Sequence, residues 1–338
     1  MTRKSRRDTN GLCPMALAIL CCMPPLAAAA AGTVPVLGTD AESVAQYDAT
    51  VRDAAHALRW NLNFMKYDQP LNTKLFDTLA QRGVTHIVVT VGLENSLATI
   101  EQGKLDEDLK KLSAELFQWQ QSHPQVQVIV RPFHEMNGDW YPWGFKKEHD
   151  GNSISQFNPA WRHVRSVMRS GFPDLPFMWC PGVNQDNKFG AYYPGNDEVE
   201  YLALDGYNHS TSQGGWTSMR QIFHDSLVAI RSNPAIDRTK PLVIAETATT
   251  EPDAAAAALG HSKAEWFGRS FGNMGWWLHS EAPKFRVGTV LYFNYPDLHT
   301  GKALSPEAYK NDYLVYDPQL PNASVSRSAF RASVRDLP

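Results

Sequence analysis

The chain has 338 residues, 43% of them hydrophobic and 20% charged, with a formal net charge of −3. That composition excludes a disordered or low-complexity polymer, and the lack of a basic excess argues against a nucleic-acid partner. The length exceeds the usual span of one domain, yet α/β barrels reach this size as a single unit.

The first elements in chain order are not read as part of the fold. Arg3, Lys4, Arg6 and Arg7 precede an apolar run from Leu12 to Leu26, and a small-residue stretch, "AAAAAG", follows. A basic segment, an apolar segment and small residues at a cleavage point make residues 1–31 a secretory signal peptide. Pro14, Pro24 and Pro25 interrupt the run, which is too short to cross a bilayer, so no membrane association is expected after its removal. Cys13, Cys21 and Cys22 leave with it, so the exported chain keeps Cys180 alone and forms no internal disulfide. A core of this size needs no crosslink. Cys180 follows the apolar run "FMW" and reads as a buried small residue rather than a nucleophile.

Beyond residue 33 the sequence has a rhythm. Short apolar runs begin at Val34, Leu58, Thr85, Val126, Leu175, Glu200, Pro241 and Gly288. Continuous apolar runs of this length suit strands covered on both faces, as in parallel sheets. Segments with helical spacing lie between them, over 43–58, 72–82, 105–121, 161–170, 219–231 and 262–278. The second run is the weakest, because Asn61 and Asn63 interrupt it. Ala254–Ala258 reads as a helical or loop insertion, and the tail after Pro318 as a surface strap. Eight strand–helix units predict an α/β fold, a single (β/α)8 TIM barrel over residues 33–338. A doubly wound sheet is the competitor. Its glycine-rich phosphate loop has no counterpart here, since the first run ends "GTDAES", and no nucleotide or other cofactor is expected.

In such barrels the working residues sit at the carboxyl ends of the strands. Glu135 follows the fourth run and Glu246 ends the seventh. Trp179 ends the fifth, Asp205 and Tyr207 the sixth, and Tyr292 and Asn294 the eighth. Two glutamates facing each other across a barrel mouth suit glycoside hydrolysis, one carboxyl protonating the leaving oxygen while the other attacks the anomeric carbon. The plainer alternative pairs Glu135 with Arg131 as a structural ion pair. His134-Glu135 does not continue into HExxH, because position 138 is glycine, so no metal is expected. No nucleophile elbow of the form G-x-S-x-G occurs, which argues against a serine hydrolase.

The segment "RPFHEMNGDWYPWG" resembles the signature of glycoside hydrolase family 26, which includes many bacterial β-mannanases. "MWCPGVNQ", "YYPGNDEVEYLALDGYN" and "KPLVIAETAT" follow in that family's order. The resemblance implies a retaining glycosidase acting on a polysaccharide, with Glu135 as acid/base and Glu246 as nucleophile. It places His134 beside the acid/base, bonding the sugar or the nucleophile, and makes Tyr207 the phenol that bonds Glu246. Asn137, Trp140, Trp143, Trp179 and Tyr292 complete the substrate-binding candidates. Loop packing is the alternative for Trp140 and Trp143, and core packing for Trp179.

Two departures bear on the substrate. Tyr292 stands where family mannanases tend to have Trp. "KNDYLVYD", with Tyr313 and Leu314, aligns with a segment that in them carries Asp-Trp-Arg. Endo-β-1,4-mannanase activity is the expectation. A mixed-linkage β-glucanase, a β-1,3-xylanase, an exopolysaccharide-processing glycosidase and a non-catalytic carbohydrate-binding barrel are the alternatives. No oligomeric state is assigned.

Overall fold

A computed structural model describes residues 35–146, 152–183, 187–209, 215–270, 277–295, 313–316, 318, 322–335 and 337. The expected signal peptide lies outside them. Eight strands form: β1 (Val36–Asp40), β2 (Trp60–Lys66), β3 (His86–Gly92), β4 (Gln127–Pro132), β5 (Met178–Trp179), β6 (Tyr201–Asp205), β7 (Leu242–Thr247) and β8 (Val287–Phe293). All neighbours pair in parallel, in the order β4-β3-β2-β1-β8-β7-β6-β5. The two ends of that order meet where Val130 bridges to Phe177 and its N–H reaches the Pro176 carbonyl at 2.9 Å. The result is a (β/α)8 barrel, and each of the eight apolar runs supplies a strand.

Alternation along the strands divides the core in two. Inside the barrel lie Trp60, Leu62, Val88, Ile129, Met178, Cys180, Tyr201, Ala203, Val243, Ala245 and Leu291. Ile87, Val89, Val128, Val130, Leu202, Leu204, Ile244 and Val290 face the other way and pack with the helices. Gly38 on β1 is obligatory for closure. A Cβ there would fall 2.2 Å from the Leu291 side chain and 2.7 Å from that of Trp60. The polar interruptions of β2 also have a reason. Asn61 and Asn63 turn away from the barrel interior, and both donate to the Ala41 carbonyl, at 3.2 and 3.5 Å, fixing the chain as it leaves β1.

Helices α1 (Val44–Ala54), α2 (Thr73–Gln81), α3 (Leu97–Glu101), α4 (Asp106–Ser122), α5 (Ile154–Gly171), α6 (Met219–Ser232), α7 (Ala254–Ala258) and α8 (Lys263–Ser270) follow the strands. Local signals start several of them. Ser43 caps α1, and Ser218 with Gln221 forms a capping box on α6, each satisfying amide groups the first helical turn leaves unpaired. The tail departs from expectation. Instead of a surface strap it forms α9 (Ala323–Val334), which buries Phe330 against Phe267 and Tyr292 at centroid distances of 5.0 and 5.3 Å. Apolar residues at 323, 330 and 334 supply its buried face. No helix among the described residues is long and apolar enough to cross a membrane.

Candidate active site

A cleft of about 850 Å3 opens at the carboxyl ends of the strands. Asp40, Phe64, Glu135, Tyr207, Glu246 and Phe293 are among its lining residues, each from the end of a different strand or the loop after it.

The turn after β4 presents Glu135 in an unusual backbone state. Phe133 and Glu135 both have φ of 52°, in the left-handed region that ordinary side chains avoid. Packing holds this shape. The Phe133 ring is buried against Phe157 at 5.6 Å, the Glu135 N–H donates to the Cys180 carbonyl at 2.8 Å, and Asn137 bonds Gly182 twice, at 2.7 and 2.8 Å. Trp143 donates to the His134 carbonyl at 2.9 Å. Strain of this kind costs about 1–3 kcal/mol per residue and persists only where surrounding contacts over-determine it.

Arg131, fully buried at the end of β4, ties three strands together. It donates to Thr90 of β3 at 2.8 Å, to both oxygens of Asp205 of β6 at 2.8 and 3.0 Å, and to Glu246 of β7. Glu135 is not its partner, so the structural ion pair weighed for that residue is absent. The second oxygen of Glu246 accepts from the Tyr207 hydroxyl. Glu246 therefore receives a charged and a neutral donor, which fix the position of its carboxyl group. Glu135 accepts one bond, from Trp140 Nε1 at 2.6 Å. Burial, and then the charge of Glu246, push the Glu135 carboxyl up to about 7.

The aromatic candidates separate into two groups. Trp140 is 44% exposed and offers a ring face at the cleft mouth. Its ring lies over Gly138, where a Cβ would come within 2.5 Å of it. His134 lines the cleft, is buried beside Tyr141 at 4.4 Å, and has neither ring nitrogen bonded. Burial, and then the Arg131 charge, hold it well below the usual imidazole range, so its ring is neutral. It does not bond Glu246, whose oxygens are taken.

Trp143 also lines the cleft, but it is 1% exposed and stacks on Tyr141 at 4.5 Å, so most of its ring is wall. Asn137, Trp179 and Tyr292 do not line the cleft, which corrects the sequence expectation of substrate contact for these three. Asn137 is spent on Gly182. Trp179 faces outward from β5, its ring against Tyr193 at 5.2 Å and Phe189 at 5.7 Å. Tyr292 also faces outward, its hydroxyl donating to the Tyr313 carbonyl at 2.9 Å, while Phe293 takes the inward position. Alternation from the inward Leu291 identifies Phe293, a signal already present in "VLYFN". Asn294 is structural, bonding Thr50 and the Val315 N–H, each at 2.8 Å. Sequence reasoning also passed over Asp40, Phe64 and Tyr141.

The family model described as Glycosyl hydrolase family 26 matches residues 68–267, a span that includes both Glu135 and Glu246. The chain belongs to glycosyl hydrolase family 26. This family 26 chain is 26% identical to Endoglucanase H of Acetivibrio thermocellus over 205 residues, which are 59% of the chain and 21% of that protein. It is 32% identical to a mannan endo-1,4-beta-mannosidase of Bacillus subtilis over 114 residues, 32% of the chain and 31% of the relative. The chain thus spans less than a third of the length of these two relatives. The solved structure of GH26C from a Muricauda species superposes with a TM-score of 0.61 at 17% identity, covering 91% of this chain and 89% of that one. At that identity it supports the barrel fold of the family 26 chain alone.

Proposed function

We propose that this family 26 chain is a secreted endo-β-1,4-mannanase that cleaves with retention, with Glu135 as acid/base and Glu246 as nucleophile. The observation that carries the reading is the contrast between two carboxyls in one cleft. Glu135, pushed up to about 7, keeps its proton until the pH approaches neutrality, whereas Glu246 is held by the guanidinium of Arg131 and the hydroxyl of Tyr207. Glu246 attacks the anomeric carbon as the glycosidic bond breaks, and Glu135 passes its proton to the departing oxygen. Glu135, now ionised, takes a proton from water, whose oxygen displaces Glu246 from the anomeric carbon and restores both groups. The exposed face of Trp140 and the unbonded nitrogens of His134 suit sugar C–H faces and hydroxyls.

A single catalytic domain over 33–338 and export through residues 1–31 belong to this reading. The amino-terminal basic and apolar pattern supports the export. Mannan is the substrate named for the Bacillus subtilis relative. The likeness to Endoglucanase H favours a β-glucan as the second reading, mixed-linkage glucan among them.

The test is reducing-end release from glucomannan, lichenan and β-1,3-xylan, followed by NMR of the newly formed anomer. Glucomannan is expected to be cleaved fastest, with the β-anomer appearing first. Glu246→Ala should lower kcat by at least about 10^3-fold, as loss of a covalent nucleophile does. Activity should fall as pH rises through about 7, where Glu135 loses its proton. Wild-type turnover by Glu246→Ala, or first release of the α-anomer, would sink the mechanism.

A further inference from the structure

The cleft contains a third carboxyl that the two-glutamate reading leaves idle. Asp40 ends β1, is 3% exposed, and lines the same cleft as Glu135 and Glu246. Its Oδ2 has no hydrogen-bond partner among the described residues. The cation buried in this layer is already committed, because Arg131 donates to Thr90, Asp205 and Glu246. A buried polar atom without a partner is costly, and an orphaned one at a binding site points to a group supplied from outside.

We propose that Asp40 is a specificity-determining residue that hydrogen-bonds a ring hydroxyl of the sugar unit seated against Glu246. This rests on the glycosidase reading and extends it to a residue on β1. The chemical class of the sugar follows from the charges around the cleft. Glu42, Glu94, Asp205 and Glu246 line it besides Asp40 and Glu135, with Lys66 the one lysine or arginine among the described lining residues, itself 3.8 Å from Glu94. Such a cleft rejects uronate and sulfated sugars and takes a neutral unit. Burial, and then the charge of Glu246, push the Asp40 acid well above the usual carboxyl range. That shift favours the protonated acid, which offers an O–H donor as well as an acceptor, the pair of functions one hydroxyl can answer. A site built to bond a particular hydroxyl discriminates strongly against a substrate lacking it, because the buried partner is then left bare.

The experiment uses aryl β-1,4-manno-oligosaccharides whose ring next to the aglycone lacks the 2-, 3- or 6-hydroxyl, one at a time. If lichenan proves the better polymer, the same series is built on the gluco configuration. With the complete substrate, Asp40→Ala should lower kcat/KM by about 10- to 100-fold, the range for a lost buried hydrogen bond. With one of the three deoxy substrates the wild type should already be slow, and the variant should differ from it by less than about threefold. Asp40→Ala equal to wild type on the complete substrate overturns the proposal. So does a loss of equal size on all three deoxy substrates, which marks a structural role. The wild type supplies a second readout that needs no substitution: the 13C carboxyl resonance of Asp40 should move on saturation with oligosaccharide product, and a stationary resonance also overturns the proposal. Glu246→Ala run beside them separates the two readings. If it retains activity the glycosidase mechanism falls, whatever Asp40 does.

Discussion

Trp140 touches Glu135, the proposed acid/base, directly, and its two parts do separable work. The indole N–H donates to Glu135 and lowers its pKa, opposing burial and the Glu246 charge. Trp140→Phe keeps a ring face but removes that donor. The alkaline limb of the pH–activity profile should therefore move to higher pH, by up to about one unit, with KM little changed. A limb that stays in place would show that Glu135 is not the group titrating there. The carboxylates themselves were readable from the sequence because each ends an apolar run. The partners of Arg131 were not. Thr90, Asp205 and Glu246 lie 41, 74 and 115 positions away, and no local pattern records a contact at such separations. Tyr292 was misplaced for a simpler reason: a motif aligns letters, whereas only the parity of the strand says which side chain points inward.

At the level of elements, the turn after β4 is held open by a few contacts with the end of β5. Asn137 contributes two of them and has no exposed surface. Asn137→Ala removes both and leaves the Gly182 N–H and carbonyl without their partner. We expect a loss of about 1–3 kcal/mol in unfolding free energy. Because the same turn carries Glu135, kcat should fall more than about tenfold, as misplaced catalytic groups do. Chemical denaturation and steady-state kinetics on the same preparation check both effects, and a stability loss without a rate loss would separate the turn from the chemistry. The strands were readable because apolar runs buried on both faces leave few competing assignments. The turn was not, since two non-glycine residues at positive φ contradict every local preference and are sustained by tertiary contacts alone.

Across the whole molecule, closure requires a missing side chain, and a helix from the tail covers the closed ring from outside. Gly38 lets β1 approach β2 and β8, and α9 covers the outer face of β8 through Phe330, Phe267 and Tyr292. Phe330→Ala should cost about 3–5 kcal/mol, the range for emptying a buried aromatic site. Urea unfolding measures it; an unchanged midpoint would mean that the tail rests on the barrel without stabilising it. The eight-unit rhythm made the barrel readable, while α9 was missed because it follows the last strand, where that rhythm has already ended.

The reach of Arg131 has a consequence for how the molecule can fail. One guanidinium bonds side chains from β3, β6 and β7 while standing on β4, and two of its partners, Asp205 and Glu246, are carboxylates that line the cleft. Separating β4 from β7 would strip Glu246 of its charged donor. The catalytic pocket therefore has no private stability of its own. It inherits the cooperativity of the closed ring, and on the proposed mechanism partial opening of that ring is already inactivation.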